Sequence, residues 1–321
     1  MAQTQQHPTR WALILGATSG AGAAICKALA RAPGLNIMGL HRGNHPDGVA
    51  EVTAAVEAAG REIRWLVGDA GKPDLIAAQA DAVLEQVGAQ GVHIMVHSIA
   101  NASVGLLASG DDQPWIHPKQ VAKTFDSMAH SFVYWTQALR RRDLLAPGAR
   151  ILALDNAINE SLLGNLSVIA ASKAALETYV RHLALELGPL GYRVNALKFG
   201  TVESAALRWI FPEEVWDRVK AIHDRMFPAQ RMNTMDEVAA FVSVLAADAG
   251  AWFNSAIIDF TGGQMHGVYQ LLMDVVINGT PDSPSPPPSP SSPSSPSSPS
   301  SSSPPPSPSS HSPSPSPVKG D

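Results

Sequence analysis

Short apolar runs interleaved with longer amphipathic stretches constrain this chain more than any other feature. The runs are WALILG (11–16), NIMGLH (36–41), IRWLVGD (63–69), VHIMVHS (92–98), RILALD (150–155), YRVNALK (192–198) and AIIDF (256–260). Each is almost continuously apolar rather than alternating, as strands are when both faces are covered. Between them, helical periodicity runs over Ala21–Ala32, Pro46–Ala59, Pro73–Val87, Lys119–Leu145, Ile169–Leu187 and Asp236–Ala247. Strands that alternate with helices in this way predict a doubly wound α/β domain with about seven parallel strands.

Composition sets the limits of that domain. From Pro281 onward the chain is almost entirely Ser and Pro. Such a segment buries too little to offset its ordering entropy, so 279–321 is expected to be a disordered Ser/Pro-rich tail with polyproline II stretches. A spacer or solubilising role is the plainer account of it; a ligand for a polyproline reader is the sharper one. Residues 1–10 are polar and expected to be flexible. Residues 11–278 remain for a single domain. The formal net charge of −5 gives no reason to expect a nucleic-acid partner. Cys26 is the only cysteine, which rules out an intramolecular disulfide and fits a reducing cytoplasm. No apolar run reaches the ~18 residues of a spanning helix, and MAQTQQHPTR does not read as a signal peptide. The expectation is a cytoplasmic protein with no membrane partner.

GATSGAG follows the first strand and opens the first helix. Its glycines, Gly16, Gly20 and Gly22, would let the backbone approach a pyrophosphate, and the helix N-terminus would supply N–H groups and a favourable dipole. Thr18, Ser19 and Ala21 complete that candidate Rossmann-type turn. A dinucleotide site that prefers NAD(H) places a carboxylate after the second strand, to accept from the ribose. Here His41 and Arg42 stand there instead. Arg42 can pair with a 2′-phosphate, so NADP(H) is expected over NAD(H); a solvated loop charge is the bland alternative. Asp69 and Ala70, at the end of the third strand, are candidates for the adenine. Ser98, Ile99 and Ala100, at the end of the fourth, leave room for the rest of the cofactor. An Asp or Ser in such a place also serves simply as a cap. No metal site is expected.

Together these pieces resemble the short-chain dehydrogenase/reductase family. The likeness spans residues 11–265. It rests on GATSGAG, on Asp69, on ASKAALE with Lys173, on YRVNALKFG, on DEVA (236–239) and on DFTGG (259–263). VHSIA (96–100) and HSFVYWTQAL (130–139) are similar to the enoyl-acyl-carrier-protein reductase branch, whereas the glycine spacing follows the commoner ketoreductases. The resemblance implies that Lys173 grips the nicotinamide ribose, that the Val202 backbone after Gly200 meets the carboxamide, and that Ser204 touches the same amide or the pyrophosphate. It also implies a homodimer or homotetramer, paired through the helices near Lys119–Leu145 and Ile169–Leu187. The second of these carries Leu176, Val180, Leu183 and Leu185.

The sequence departs from the family at its centre. Common members carry Tyr-x3-Lys with a serine upstream; those positions here are Ile169, Lys173 and Asn156. The enoyl branch carries Tyr-x6-Lys, which places Leu166 at the tyrosine. Neither register supplies a phenol. Ketone reduction makes an alkoxide that needs a positioned acid. Enoyl thioester reduction makes an enolate that mainly needs oxyanion stabilisation. The loss therefore favours an apolar enoyl substrate, possibly carried as a thioester. Asn156 is a candidate oxyanion donor, and Asp155 or Glu160 a replacement acid or base. His97, His130 and Tyr134 read more readily as structural. Two rivals stay open: a non-redox isomerase, lyase or cyclase using Asp155, Asn156 or Glu160, and a catalytically inactive dinucleotide-binding protein. The apolar segment 201–232, with Trp209, Ile210, Phe211, Trp216, Met226 and Phe227, is expected to be a substrate lid or else plain core packing.

Overall fold

The computed structural model describes residues 10–278, apart from 32, 89–90, 110–114, 161, 205–206, 209–210 and 212. The Ser/Pro tail, nearly all of the N-terminal arm, and Trp209 and Ile210 of the expected lid lie outside the described residues. Seven strands form one sheet: β1 Trp11–Leu15, β2 Asn36–His41, β3 Ile63–Val67, β4 Val92–His97, β5 Leu145–Asn156, β6 Arg193–Phe199 and β7 Ile257–Phe260. Their order is β3-β2-β1-β4-β5-β6-β7. All the pairings are parallel.

The apolar runs divide by parity between two cores. Trp11, Leu13 and Leu15 of β1 face one side, with Met95, Ile151 and Ala153. The helices there are α3 (Pro73–Val87), α5 (Ser131–Arg141) and α6 (Ser167–Leu187). Ala12 and Ile14 face the other side, under α1 (Gly20–Arg31), α2 (Pro46–Ala58) and α8 (Met235–Ala246). This two-sided burial is what the unbroken apolar runs encode. The sheet order reverses between β1 and β4, and their carboxyl ends open the crevice where a parallel sheet binds ligands.

The helix expected over Lys119–Leu145 is three pieces. α4 (Pro118–Phe125) runs into a π turn at Asp126–His130, and α5 then ends at Arg141. Asp143, at φ 52°, takes the left-handed conformation that stops the helix, and Val92 N–H donates to Leu144 O (2.6 Å) as β5 begins. Two further helices lie among the described residues: α7 (Trp216–Met226) and α9 (Gln264–Asn278). The helical periodicity of the sequence stops at Ala247 and does not predict α9. Its Gly267 is a packing requirement, because a Cβ there would lie 2.0 Å from Met226 O on α7.

Candidate active site

The glycine turn is built by contact as much as by conformation. Gly16 has φ 88°, and a Cβ on it would lie 2.4 Å from Ser98 O; a Cβ on Gly22 would lie 2.0 Å from Gly16 O. β1, β4 and α1 therefore meet only because these residues lack side chains. Gly20 is different: its added Cβ would meet nothing nearer than Met235 Cε at 3.8 Å. The open cradle in front of the first N–H groups of α1 fits a pyrophosphate. Thr18 and Ala21 are buried in the turn, Ser19 is exposed, and Ser19 O accepts from Ala23 N–H.

The strand ends line the same edge. His41 Nδ1 accepts from Gly43 N–H (3.1 Å), and its ring stands edge-on to Trp65 at 5.2 Å. Arg42 is exposed and has no salt bridge among the described residues. Asp69 Oδ1 accepts from Gly71 N–H (3.0 Å), so it braces its own turn, while Ala70 O accepts from Trp135 Nε1 (3.0 Å). Ser98 N–H donates to Leu15 O (3.0 Å), which ties β4 to the glycine turn, and Ile99 and Ala100 lead away from it. After β6, Gly200 is pressed by the Phe227 ring and Val202 bridges to Asn233. Ser204 Oγ accepts from Leu207 N–H (3.1 Å), a local cap.

Lys173 lies at the centre of the carboxyl edge. It is 5% exposed and donates to Leu154 O at 2.7 Å. Asp155 Oδ1 is 3.8 Å from its Nζ. Burial pushes Asp155 up to about 6, although Lys173 and the Asn156 N–H pull the other way. Burial likewise holds Lys173 below the usual lysine range, with Asp155 opposing. Asn156 is half-buried; its Oδ1 accepts from Ile158 N–H (3.3 Å), and its amide nitrogen has no hydrogen bond among the described residues. Two charged groups of this cluster escaped the sequence reading. Lys198 on β6 bridges Glu160 (2.5 Å) and Glu177 (2.6 Å), and Glu177 also accepts from Asn159 (2.9 Å). The signals were present: a lysine inside a buried strand, and a glutamate one turn beyond Lys173.

No tyrosine stands beside Lys173. Tyr179 hydrogen-bonds His130 Nδ1 (3.1 Å), Tyr134 and Tyr269 are exposed, and Tyr192 packs on the core. His130 and Tyr134 pack against one another with Tyr179, which ties α5 to α6. Leu166 is buried, and with Ile158, Leu162, Leu163 and Ala170 it lines an apolar cavity of about 220 Å³. His97 Nε2 bonds Ser131 Oγ (2.8 Å), whose hydroxyl donates to Ser127 O within the π turn. Burial, then Lys173, pushes His97 down to about 3, so it stays neutral.

An all-parallel seven-stranded sheet, a glycine turn at its switch point and a buried lysine at the edge of β5 define a class: the short-chain dehydrogenases and reductases. Within that class the chain belongs to the enoyl-(acyl carrier protein) reductase family, whose profile matches residues 16–265. It is similar to 1-cyclohexenylcarbonyl-CoA reductase of Streptomyces collinus, 26% identical over 78% of this chain and 85% of the relative. It is also similar to the NADH-dependent enoyl-acyl-carrier-protein reductase of Escherichia coli, 28% identical over 52% of this chain and 62% of that one. A Burkholderia cenocepacia short-chain dehydrogenase, solved in complex with NADP, superposes with a TM-score of 0.65 at 26% identity, covering 81% of this chain and 99% of that one. The protein is an oxidoreductase, an NAD(P)-dependent reductase of this family.

Proposed function

We propose that the protein reduces an apolar enoyl thioester with NADP(H), without a tyrosine acid. The observation that carries this is the pairing of a retained, buried Lys173 with Leu166 and Ile169 at both positions open to a phenol. The residues present would hold the cofactor as follows: Gly16, Thr18, Ser19, Gly20, Ala21 and Gly22 around the pyrophosphate, and Arg42 on a 2′-phosphate beside His41. Asp69, Ala70, Ser98, Ile99 and Ala100 would line the adenine side and the middle of the cleft. Lys173, Gly200, Val202 and Ser204 would meet the nicotinamide half. When bound, the cofactor supplies hydride.

The chain's own part is electrostatic. Lys173 brings positive potential to the place where an enolate oxygen develops, and Asn156 offers an amide donor from the neighbouring strand end. No group is positioned as a phenolic acid, so the enolate carbon takes its proton from water. Phe227 and α7, packed over the ends of β6 and β7, form the lid that keeps an apolar acyl chain out of water. The Streptomyces collinus relative, named for a cyclohexenyl thioester, supports this substrate class. The working species is taken to be a homodimer or homotetramer in the cytoplasm, where the buried thiol of Cys26 remains reduced.

The test is NADPH oxidation measured with a panel of enoyl-CoA thioesters and matched ketones. Turnover is expected with the enoyl thioesters and not with the ketones, and Lys173→Ala should lower it by about 10²-fold or more. Ketones turned over as fast as enoyl thioesters, or turnover indifferent to NADPH, would reject the reading.

A further inference from the structure

Asp155 is a buried carboxylate whose counter-charge stands at a distance. Its side chain is 0% exposed, and among the described residues neither oxygen has a side-chain hydrogen-bond donor. Lys173 Nζ stands off at 3.8 Å and spends its short bond on Leu154 O. A carboxylate left this way must draw on a counter-charge or take up a proton. Its neighbour Glu177, one turn beyond Lys173 on α6, is the opposite case. Glu177 accepts from Lys198 (2.6 Å), Asn159 (2.9 Å) and Arg181 (3.3 Å). Burial works to raise Glu177, and the bonds from Lys198 and Asn159, with one from the Asp155 carboxyl, outweigh it and hold it below the usual range. Lys198 is the register partner of Asp155 across β5 and β6, and its second bond to Glu160 fixes it there.

We propose that Asp155 and Glu177 form a proton-sharing carboxyl pair that switches the counter-charge of Lys173, which makes Asp155 a positioning residue for whatever Lys173 contacts. The groups that face the pair are Lys173 from α6, Lys198 from β6, Glu160 from the turn after β5, and Arg181 behind Glu177. His97 on β4, which feels Lys173, remains neutral. Glu177 carries negative charge throughout, so the arriving proton settles on Asp155 and the O–H of Asp155 donates to Glu177. With Asp155 ionised, Lys173 is neutralised within the fold. With Asp155 protonated, the ammonium has no counter-charge and turns its full field on the cleft.

The consequence for ligand rests on the reading of Lys173 as a cofactor-gripping residue; the carboxyl pair itself does not. The side-chain carboxyl carbons of aspartate are isotope-labelled, and their NMR shifts are followed against pH in the protein without nucleotide. One aspartate should titrate near pH 6. That signal should vanish in Asp155→Asn. Its midpoint should fall by about one unit in Glu177→Gln, where the like charge is gone, and should rise in Lys198→Met. An Asp155 midpoint in the ordinary range near ~3.9, or one unmoved by Glu177→Gln, overturns the pair. NADPH affinity, read by nicotinamide fluorescence in the same samples, should rise as pH falls through the Asp155 midpoint, and saturating NADPH should in turn move that midpoint up. A midpoint that moves between variants while the affinity step does not overturns the link to Lys173. Failure of NADPH to bind at any pH instead rejects the cofactor reading, while the carboxyl titration still decides the pair.

Discussion

Arg42 stands exposed after β2, where its charge has no partner among the described residues. A hydrogen bond to a charged group contributes about 1.5–3 kcal/mol, so Arg42→Asp should weaken NADPH by roughly 10-fold or more and reverse the preference toward NADH. Paired titrations by nicotinamide fluorescence check it; equal affinities in the unaltered protein would show that Arg42 does not reach the phosphate. Asp155 makes a stability prediction with a definite sign. Its folded-state value, about 6, lies above the ordinary 3.8. The protonated form therefore favours the fold, and that contribution is present below pH ~3.8 and lost as pH rises through about 6. Asp155→Asn, which keeps the neutral shape, should thus gain stability relative to the unaltered protein at pH 8 and not at pH 4. Denaturant unfolding at both pH values measures the difference, which also cancels the opposite contribution of buried His97. Ile169→Tyr alone, with Asn156 kept as the oxyanion donor, bears on the missing phenol. If the chemistry has moved off tyrosine, enoyl turnover should change by less than ~3-fold, against the ~10²–10⁴-fold a working general acid contributes.

The strands were legible as elements because a parallel strand buried on both faces is a short apolar run and nothing else in this chain resembles one. Gly16, Gly20 and Gly22 were legible for the same local reason. What escaped the sequence was set by partners distant in the chain. The π turn at Asp126–His130 adds no residue type that periodicity detects, yet it brings Ser127 and Ser131 into line with His97. Glu177 and Lys198 read as a helix charge and a strand end until β5, β6 and α6 stack them beside Asp155. α9 was hidden by Gly267, which lowers helix propensity where α7 needs the space. Gly267→Ala is accordingly expected to destabilise despite its better propensity, since the new Cβ falls on backbone rather than on a flexible side chain. A drop in melting temperature measures this, and a rise would show that α7 and α9 can separate at no cost. Phe227, 2% exposed and lying on Gly200 and Gly262, gives the companion test of the lid. Phe227→Ala should cost about 3–5 kcal/mol and raise KM for long acyl chains more than for short ones.

Assembly is where sequence and structure point to different surfaces of the same molecule. The leucines and valine that suggested a paired α6 are mostly spent within the chain: Leu176, Val180 and Leu183 are buried, and only Leu185, at 75%, is exposed. The larger apolar surface is on α9, where Tyr269, Leu272 and Val276 recur at helical spacing and are 71%, 56% and 70% exposed. A stripe of this kind costs free energy in water unless something covers it. A second copy of the chain is the occupant that the homo-oligomer reading supplies, through an isologous contact. Sedimentation at micromolar concentration should therefore show a dimer or tetramer. Leu272→Lys with Val276→Lys should shift it toward monomer without loss of fold, because neither side chain is part of the core. If the double variant stays fully associated, the contact lies elsewhere, and Leu185→Lys then tests the α6 face. A monomer in the unaltered protein removes the oligomer reading altogether and leaves the α9 stripe uncovered.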